Sequence, residues 1–370
     1  MYMKKILILT LWFDWWWSWK IAAILENFLN KSYETVTLVF FKDTWVFKLK
    51  WKKINIPSLL LKHPFPWRWY IELMLHIIKT IKYVKKEKPD IVIWAWSYCN
   101  VLWLIAKKFF KFKLLLTQHE HITSRKNNTS RFSIYNMVFL VTKKLILNNK
   151  IVCVSNTVRS DTIKYYWIKE DQAQTIYNWL DFDEILRLWK EQINIKDKYI
   201  INIWNLSINK NQELLIKAYN KSKIKNTYKL LLLWWEWGRE LYLKELCREL
   251  KIEKSVIFAW FDKNPYKYLC KASLFCSTSL TEALPTVLIE SLILNIPIIS
   301  TPVSWADEIL DNWKFWIITN DWNEQNLIKE LDSFKGDWVK YNVKEKNNFI
   351  SENFSIEEME KKYLKIIKEL

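Results

Sequence analysis

Short apolar runs alternate with stretches of helical periodicity along most of the chain. The runs predict strands at Lys4–Leu11, Thr35–Phe41, Asp90–Trp94, Lys113–Gln118, Lys150–Val154 and Gln174–Tyr177. Between them the 3.6-residue spacing predicts helices at Ile21–Asn30, Ile71–Glu87, Asn100–Phe110, Phe132–Leu147 and Thr157–Tyr166. A second series gives strands at Tyr199–Ile203, Lys229–Leu233, Val256–Phe258, Leu274–Ser277 and Pro297–Ser300. Its helices are Gln212–Ser222, Arg239–Leu250, Pro265–Lys271, Pro285–Leu294 and Ala306–Leu310, and an amphipathic, basic helix closes the chain at Ile356–Leu370. Such alternation is the pattern of parallel βαβ units. It predicts an α/β protein of two doubly wound domains, residues 1–182 and 199–350. The polar segment 183–198 reads as a linker, and residues 351–370 as a helix returning to the first domain. A cleft between carboxyl strand ends is the expected ligand site.

Several classes are excluded at once. The longest apolar stretch, Ile91–Ala106, falls short of the about 18 residues a membrane span needs. The run Ile6–Leu11 is too short for a signal peptide and meets Asp14 soon after. Cys99, Cys153, Cys247, Cys270 and Cys276 form no C-x-x-C pair, which argues against a disulfide framework or zinc site and fits a reducing cytosol. His63, His76, His119 and His121 show no metal-binding spacing, so no metal is expected. The net charge of +18 favours phosphate-bearing partners or an anionic membrane, although an AT-rich genome would also enrich Lys. No RNA-binding aromatic signature or helix-turn-helix spacing is present, so nucleic acid is not an expected partner. The basic segments Lys48–Lys53 and Lys107–Lys113 are the candidate membrane patches.

Composition changes the picture in one respect. The 370 residues include 2 Gly and 25 Trp, where an ordinary chain of this length carries roughly 26 Gly. Many of the tryptophans stand at strand-to-helix junctions: Trp12, Trp15, Trp16, Trp17 and Trp19, then Trp94, Trp204, Trp234, Trp235, Trp260 and Trp305. Trp179 follows Asn178, where an Asn-Gly turn is usual. These are positions where glycine permits tight turns and close approach of backbone to an anion. A stop codon read as glycine in the source, but translated as tryptophan, would produce this pattern. It predicts glycine at Trp12, Trp16, Trp17, Trp94, Trp179, Trp204, Trp234, Trp235, Trp260 and Trp305, and strain where Trp is forced into left-handed backbone.

The most specific block runs from Ser277 to Ser291, STSLTEALPTVLIES. Glu282 lies in its loop, Pro285 suits a first helical turn, and Glu290 follows Glu282 by eight positions. This block resembles the E-x7-E motif of glycosyltransferase family 4, retaining enzymes of the GT-B fold. The resemblance runs nearly end to end. Trp204–Gln212 is similar to that family's G-R-L-x-x-x-K-G/N segment, Leu232–Gly238 to its strand with G-x-G, and Val256–Phe261 to its V-x-F-x-G. Pro297–Leu310 and Tyr177–Asp181 resemble two further family segments, and Trp stands at family Gly positions in all of them.

What the resemblance implies is two Rossmann-like domains facing a central cleft and transfer of a sugar with retained configuration. The donor would be a nucleotide sugar, UDP- or GDP-linked, with no cofactor or metal. Lys210 would neutralise the donor diphosphate, Glu282 would lie near the sugar, and Glu290 would accept ribose hydroxyls. The backbone of Ala283, Leu284, Pro285 and Thr286 would face the diphosphate at a helix N-terminus. Asn205 stands where the family usually has Arg, which leaves one phosphate contact weaker or supplied elsewhere. His119 resembles the family's strand-end histidine near the sugar; its other reading is a hydrogen-bonded structural histidine. Trp16 and Trp17 fall in the G-G-x-x-K/R-like loop, where a P-loop register fails because Asp14 holds the first glycine position and Ile21 follows Lys20. A glycan or lipid-linked acceptor, cell-surface polysaccharide synthesis and a cytoplasmic enzyme peripheral to the inner membrane face follow from the family. An inactive sugar-nucleotide-binding protein of GT-B shape, or a GT-B nucleotide-sugar epimerase, is the alternative.

Overall fold

The computed structural model describes residues 4–11, 24–40, 55–56, 78, 81–94, 100–127, 134–234, 238–260, 262–303, 308–309, 317–336 and 342–370. The chain divides into two units, residues 1–178 with 359–370, and residues 179–358.

The first unit carries strands β1 Lys5–Leu11, β2 Glu34–Phe40, β3 Asn55–Ile56, β4 Ile91–Trp94, β5 Lys113–Gln118, β6 Lys150–Cys153 and β7 Ala173–Thr175. They form a parallel sheet in the order β3-β2-β1-β4-β5-β6-β7. Residues 24–29 and 81–87 are helical, and further helices are α1 Asn100–Phe109, α2 Ile122–Asn127, α3 Ile134–Leu145 and α4 Asn156–Tyr166. Ser155 caps α4 by accepting from the Val158 amide at 3.2 Å, as a Ser at that position should.

The second unit begins with helix α5, Phe182–Leu188. Strands β8 Tyr199–Ile203, β9 Lys229–Trp234, β10 Val256–Trp260, β11 Leu274–Ser277, β12 Ile298–Ser300 and β13 Ile317–Ile318 then build a parallel sheet in the order β10-β9-β8-β11-β12-β13. All residues of β8 and β11 are buried, which is why both read as mainly apolar runs; the polar exception in β8, Asn202, donates to the Cys276 carbonyl at 2.7 Å. The helices are α6 Gln212–Lys221, α7 Glu240–Glu249, α8 Tyr266–Leu269, α9 Thr286–Ile293, α10 Glu324–Ser333 and α11 Val343–Phe354. Helix α12, Ile356–Glu369, ends the chain. Ile200, Leu215, Leu230, Leu232, Leu243 and Leu274 lie in the hydrophobic core of this unit.

In each unit the chain starts in mid-sheet, adds two strands on one side, then crosses to the other. The switch falls between β1 and β4 in the first unit and between β8 and β11 in the second. Ligands of open α/β sheets bind at such switch points, outside the carboxyl ends of the strands.

Three expectations change. The segment 183–198 is no free linker. Asp181 caps α5 through the Glu184 amide at 2.8 Å, Ile185 is fully buried, and Asn264 donates to the Leu188 carbonyl at 2.7 Å. The boundary at 350/351 falls inside α11; the break comes at Ser355, whose hydroxyl accepts from the Glu358 amide and starts α12. Left-handed strain at tryptophan occurs, among the described residues, only at Trp167, with φ 56. At Trp94, Trp179, Trp204, Trp234 and Trp260 the backbone is not left-handed. Trp12, Trp16, Trp17, Trp235 and Trp305 lie outside the described residues, as does the basic segment 48–53.

Candidate active site

The loops after β8 and β11 meet at the switch point of the second sheet. Beyond Ile203 the chain passes Trp204 and Asn205 and makes a single 3-10 turn, Ile208–Lys210. Asn211 then takes left-handed backbone, φ 50, and leads into α6. Asn tolerates this conformation at small cost because its short side chain bonds locally. Two hydrogen bonds join this loop to the one after β11: the Thr278 hydroxyl donates to the Lys210 carbonyl at 3.1 Å, and the Leu280 amide to the Asn209 carbonyl at 2.8 Å.

That stitching sets Lys210 Nζ against Glu282 Oε1 in an ion pair, with each side chain only 10% exposed. Burial pushes the Lys210 pKa down and the Glu282 carboxylate opposes it. The same ammonium lies 3.5 Å from the centroid of the Trp204 ring. Asn205 is buried behind it, and its carbonyl accepts from Gln212 Nε2 at 2.9 Å. The arrangement gathers one cation and one carboxylate, largely shielded from water, at the carboxyl edge of β8 and β11.

The E-x7-E segment forms a loop and a helix. Pro285 is the residue before α9 rather than part of it, and no side chain among the described residues caps that N-terminus. Of its first amides, that of Leu288 bonds the Pro285 carbonyl at 3.1 Å. Ala283 is half-buried; Leu284, Pro285 and Thr286 are buried. Glu290 is enclosed, at 3% exposure. Its charge, with those of Glu184 and Asp181, adds to burial in raising the pKa of the buried Tyr266 hydroxyl. At the far end of α9 the buried Lys346 of α11 donates to the Leu292 carbonyl, and to Asn295 Oδ1 at 2.7 Å. A cation there complements the negative end of the helix.

In the first unit His119 follows β5, with its Nε2 2.8 Å from Thr117 Oγ1. Desolvation pushes its pKa down to about 4, so the ring is neutral near pH 7. Trp16 and Trp17 fall outside the described residues.

Sequence reasoning missed several groups beside the ion pair. The hydroxyls of Ser277 and Ser279 are buried with no hydrogen-bond partner among the described residues, as is Gln212 Oε1. A run of three hydroxyl residues, Ser277-Thr278-Ser279, at a strand end was the available signal.

Residues 29–184 match the profile of Glycosyltransferase Family 4, and residues 185–365 match Glycosyl transferases group 1. The chain is a glycosyltransferase. Among curated proteins it is 30% identical over 178 residues to the N-acetylgalactosamine-N,N'-diacetylbacillosaminyl-diphospho-undecaprenol 4-alpha-N-acetylgalactosaminyltransferase of Campylobacter jejuni, a match covering 48% of each chain. The match thus spans about half of that relative's length. An uncharacterized glycosyltransferase of Methanocaldococcus jannaschii is 24% identical over 300 residues, 76% of this chain and 72% of the relative. The crystal structure of Anabaena HepE in complex with UDP and glucose superposes with a TM-score of 0.78 at 16% identity, over the full length of both chains. The glycosyltransferase thus has the GT-B architecture, two parallel-sheet Rossmann-like units.

Proposed function

We propose that this glycosyltransferase moves a sugar, with retention of configuration, from a UDP- or GDP-linked donor to a glycan or lipid-linked acceptor in cell-surface polysaccharide synthesis. The observation that carries the reading is the Lys210–Glu282 pair at the β8/β11 switch point. In this reading the Lys210 ammonium leaves Glu282 for the donor diphosphate and takes up charge as the glycosidic bond breaks. Amides at the start of α9 add donors to the same phosphates. Glu282, released, faces the sugar. Glu290 accepts from the ribose hydroxyls, and Asn205 holds the loop through Gln212. Neutral His119 serves as a hydrogen-bonding group toward the sugar. The positive charge for the leaving group comes from the protein, and no metal is called for. The Campylobacter relative's name specifies a diphospho-undecaprenol acceptor, which favours a lipid-linked one here.

A lipid-linked acceptor goes with an anionic membrane surface. Lys107 Nζ donates to Asn149 Oδ1 at 2.5 Å, which sets the basic end of α1 beside the turn after α3. Phe109 and Leu147 are exposed there, near Lys108, Lys111 and Lys144. Each such lysine near an anionic surface contributes about 1 kcal/mol, screened by salt. No helix among the described residues is long and apolar enough to cross a membrane.

The test is a thermal-shift screen of UDP- and GDP-sugars, followed by transfer to a polyprenyl-diphosphate-linked sugar. The anomeric configuration of the product is then read by NMR. An inverted product, donor epimerisation, or binding without turnover each defeats the reading.

A further inference from the structure

At the carboxyl edge of β8, β9 and β10, three neighbouring strands of the second sheet, the closing rung is made of indoles. Trp234 ends β9 and Trp260 ends β10, and the two are register partners. They pack edge-on with ring centroids 4.3 Å apart. Ile203 pairs with Leu233, so Trp204, the next residue of the β8 strand end, continues the same rung beside Trp234. Its amide donates to the Leu233 carbonyl at 3.1 Å. Three large side chains thus stand in a row across the carboxyl edge of adjacent strands. That edge is where a ligand must approach the Lys210 ammonium, and the Trp204 ring already covers it at 3.5 Å. The Trp204 Nε1 is buried there without a hydrogen-bond partner among the described residues. A polar N–H shut off from water without an acceptor is a feature that native sites avoid.

A second observation is independent of the rung. Trp167 closes α4 at φ 56, ψ 42, the left-handed end position that glycine fills in most helices of this kind. The two glycines present sit where a side chain would clash or be strained. A Cβ at Gly238 would lie 2.5 Å from the Leu206 carbonyl oxygen, and Gly336 has φ +84. Glycine thus stands at positions suited to it, yet the total is 2 in 370 residues.

We propose that the natural protein carries glycine at positions 167, 204, 234 and 260, the tryptophans reflecting a codon that its host reads as glycine. With glycine along the rung, the edge of β8, β9 and β10 becomes an open shelf in front of Lys210. A nucleoside diphosphate sugar lies on such a shelf with its phosphates against the ammonium and backbone. The occupant rests on the function proposed above; the residue identities do not.

The experiment has two arms. Protein purified from its native host is digested, and peptides spanning the four positions are sequenced by mass spectrometry. Glycine at each is expected, and tryptophan at 204, 234 or 260 overturns the proposal. In the second arm the chain as translated is compared with Trp204→Gly/Trp234→Gly/Trp260→Gly, using UDP and GDP as probes in calorimetry. At least tenfold tighter binding of one nucleotide to the triple variant is expected. Equal binding by both chains overturns the shelf. Glycine at all positions with no binding of either nucleotide upholds the residue identities and refutes the donor class instead.

Discussion

Removing the two halves of the Lys210–Glu282 pair separately and together tests whether the pair is one electrostatic unit. At contact distance and an effective dielectric near 20, the attraction is on the order of 4–5 kcal/mol. Both side chains are 10% exposed, and withdrawing each charge from water costs several kcal/mol. The net contribution of the pair is therefore near zero, but either charge left alone is costly. Lys210→Met and Glu282→Gln should each lower stability by about 1–3 kcal/mol. The double variant should lose less than the sum, by at least about 1 kcal/mol. Urea denaturation of the four proteins at neutral pH reads this directly. Nucleotide affinity adds a second axis with opposite signs. Lys210→Met should weaken UDP or GDP about ten- to a hundred-fold through loss of a charge-assisted contact. Glu282→Gln should tighten it several-fold, because the ammonium is no longer shared. Stability changes that add to within about 0.5 kcal/mol, or a Glu282→Gln protein that binds nucleotide as weakly as Lys210→Met, would refute the reasoning.

Three further outcomes follow from groups around the site. Glu290→Gln keeps the volume of a buried side chain and removes a charge acting on Tyr266; it should cost donor binding about tenfold while the melting temperature holds or rises, and a fall in both would make Glu290 a structural residue. His119, with its pKa pushed down to about 4, stays neutral above about pH 5.5; the pH–rate profile of His119→Asn should match that of the parent in shape up to about pH 8.5, and loss of an inflection in that range would contradict it. Lys346 has its pKa pushed down to about 8 by burial, so the folded state releases its proton before the unfolded chain does. Stability should rise as pH climbs from about 8 toward 10.5, and Lys346→Met should flatten that rise in pH-dependent denaturation.

The strands were legible because parallel strands buried on both faces are written as mainly apolar runs, and β1, β5 and β8 fall within a residue or so of their predicted limits. Helices α10 and α11 were missed because charged and amide residues dilute the apolar stripe: Leu327 and Leu331 are the buried members of one, and Ile350 and Phe354 are apolar members of the other. β3 and β13 are two residues each, below the length at which periodicity can register. In the site, Lys210 and Glu282 were marked by motif spacing, and the hydrogen bonds between their loops bring them together. Ser277, Ser279 and Gln212 stand inside the marked segments, but no role attached to them individually. What distinguishes them is enclosure without a partner, a property of three-dimensional packing that no spacing in the chain encodes.

The division of the chain has a consequence for its birth on the ribosome. Residues 359–370 belong to the first unit, although the whole second unit, 179–358, is synthesised before them. They bring Met359, Tyr363, Ile366 and Ile367, all buried. Four such side chains contribute on the order of 6–12 kcal/mol of apolar burial, comparable with the entire stability of a typical domain, about 5–15 kcal/mol. The amino-terminal sheet therefore waits, incomplete, until the end of the chain is made, and the last residues of α12 act as the keystone of the first unit.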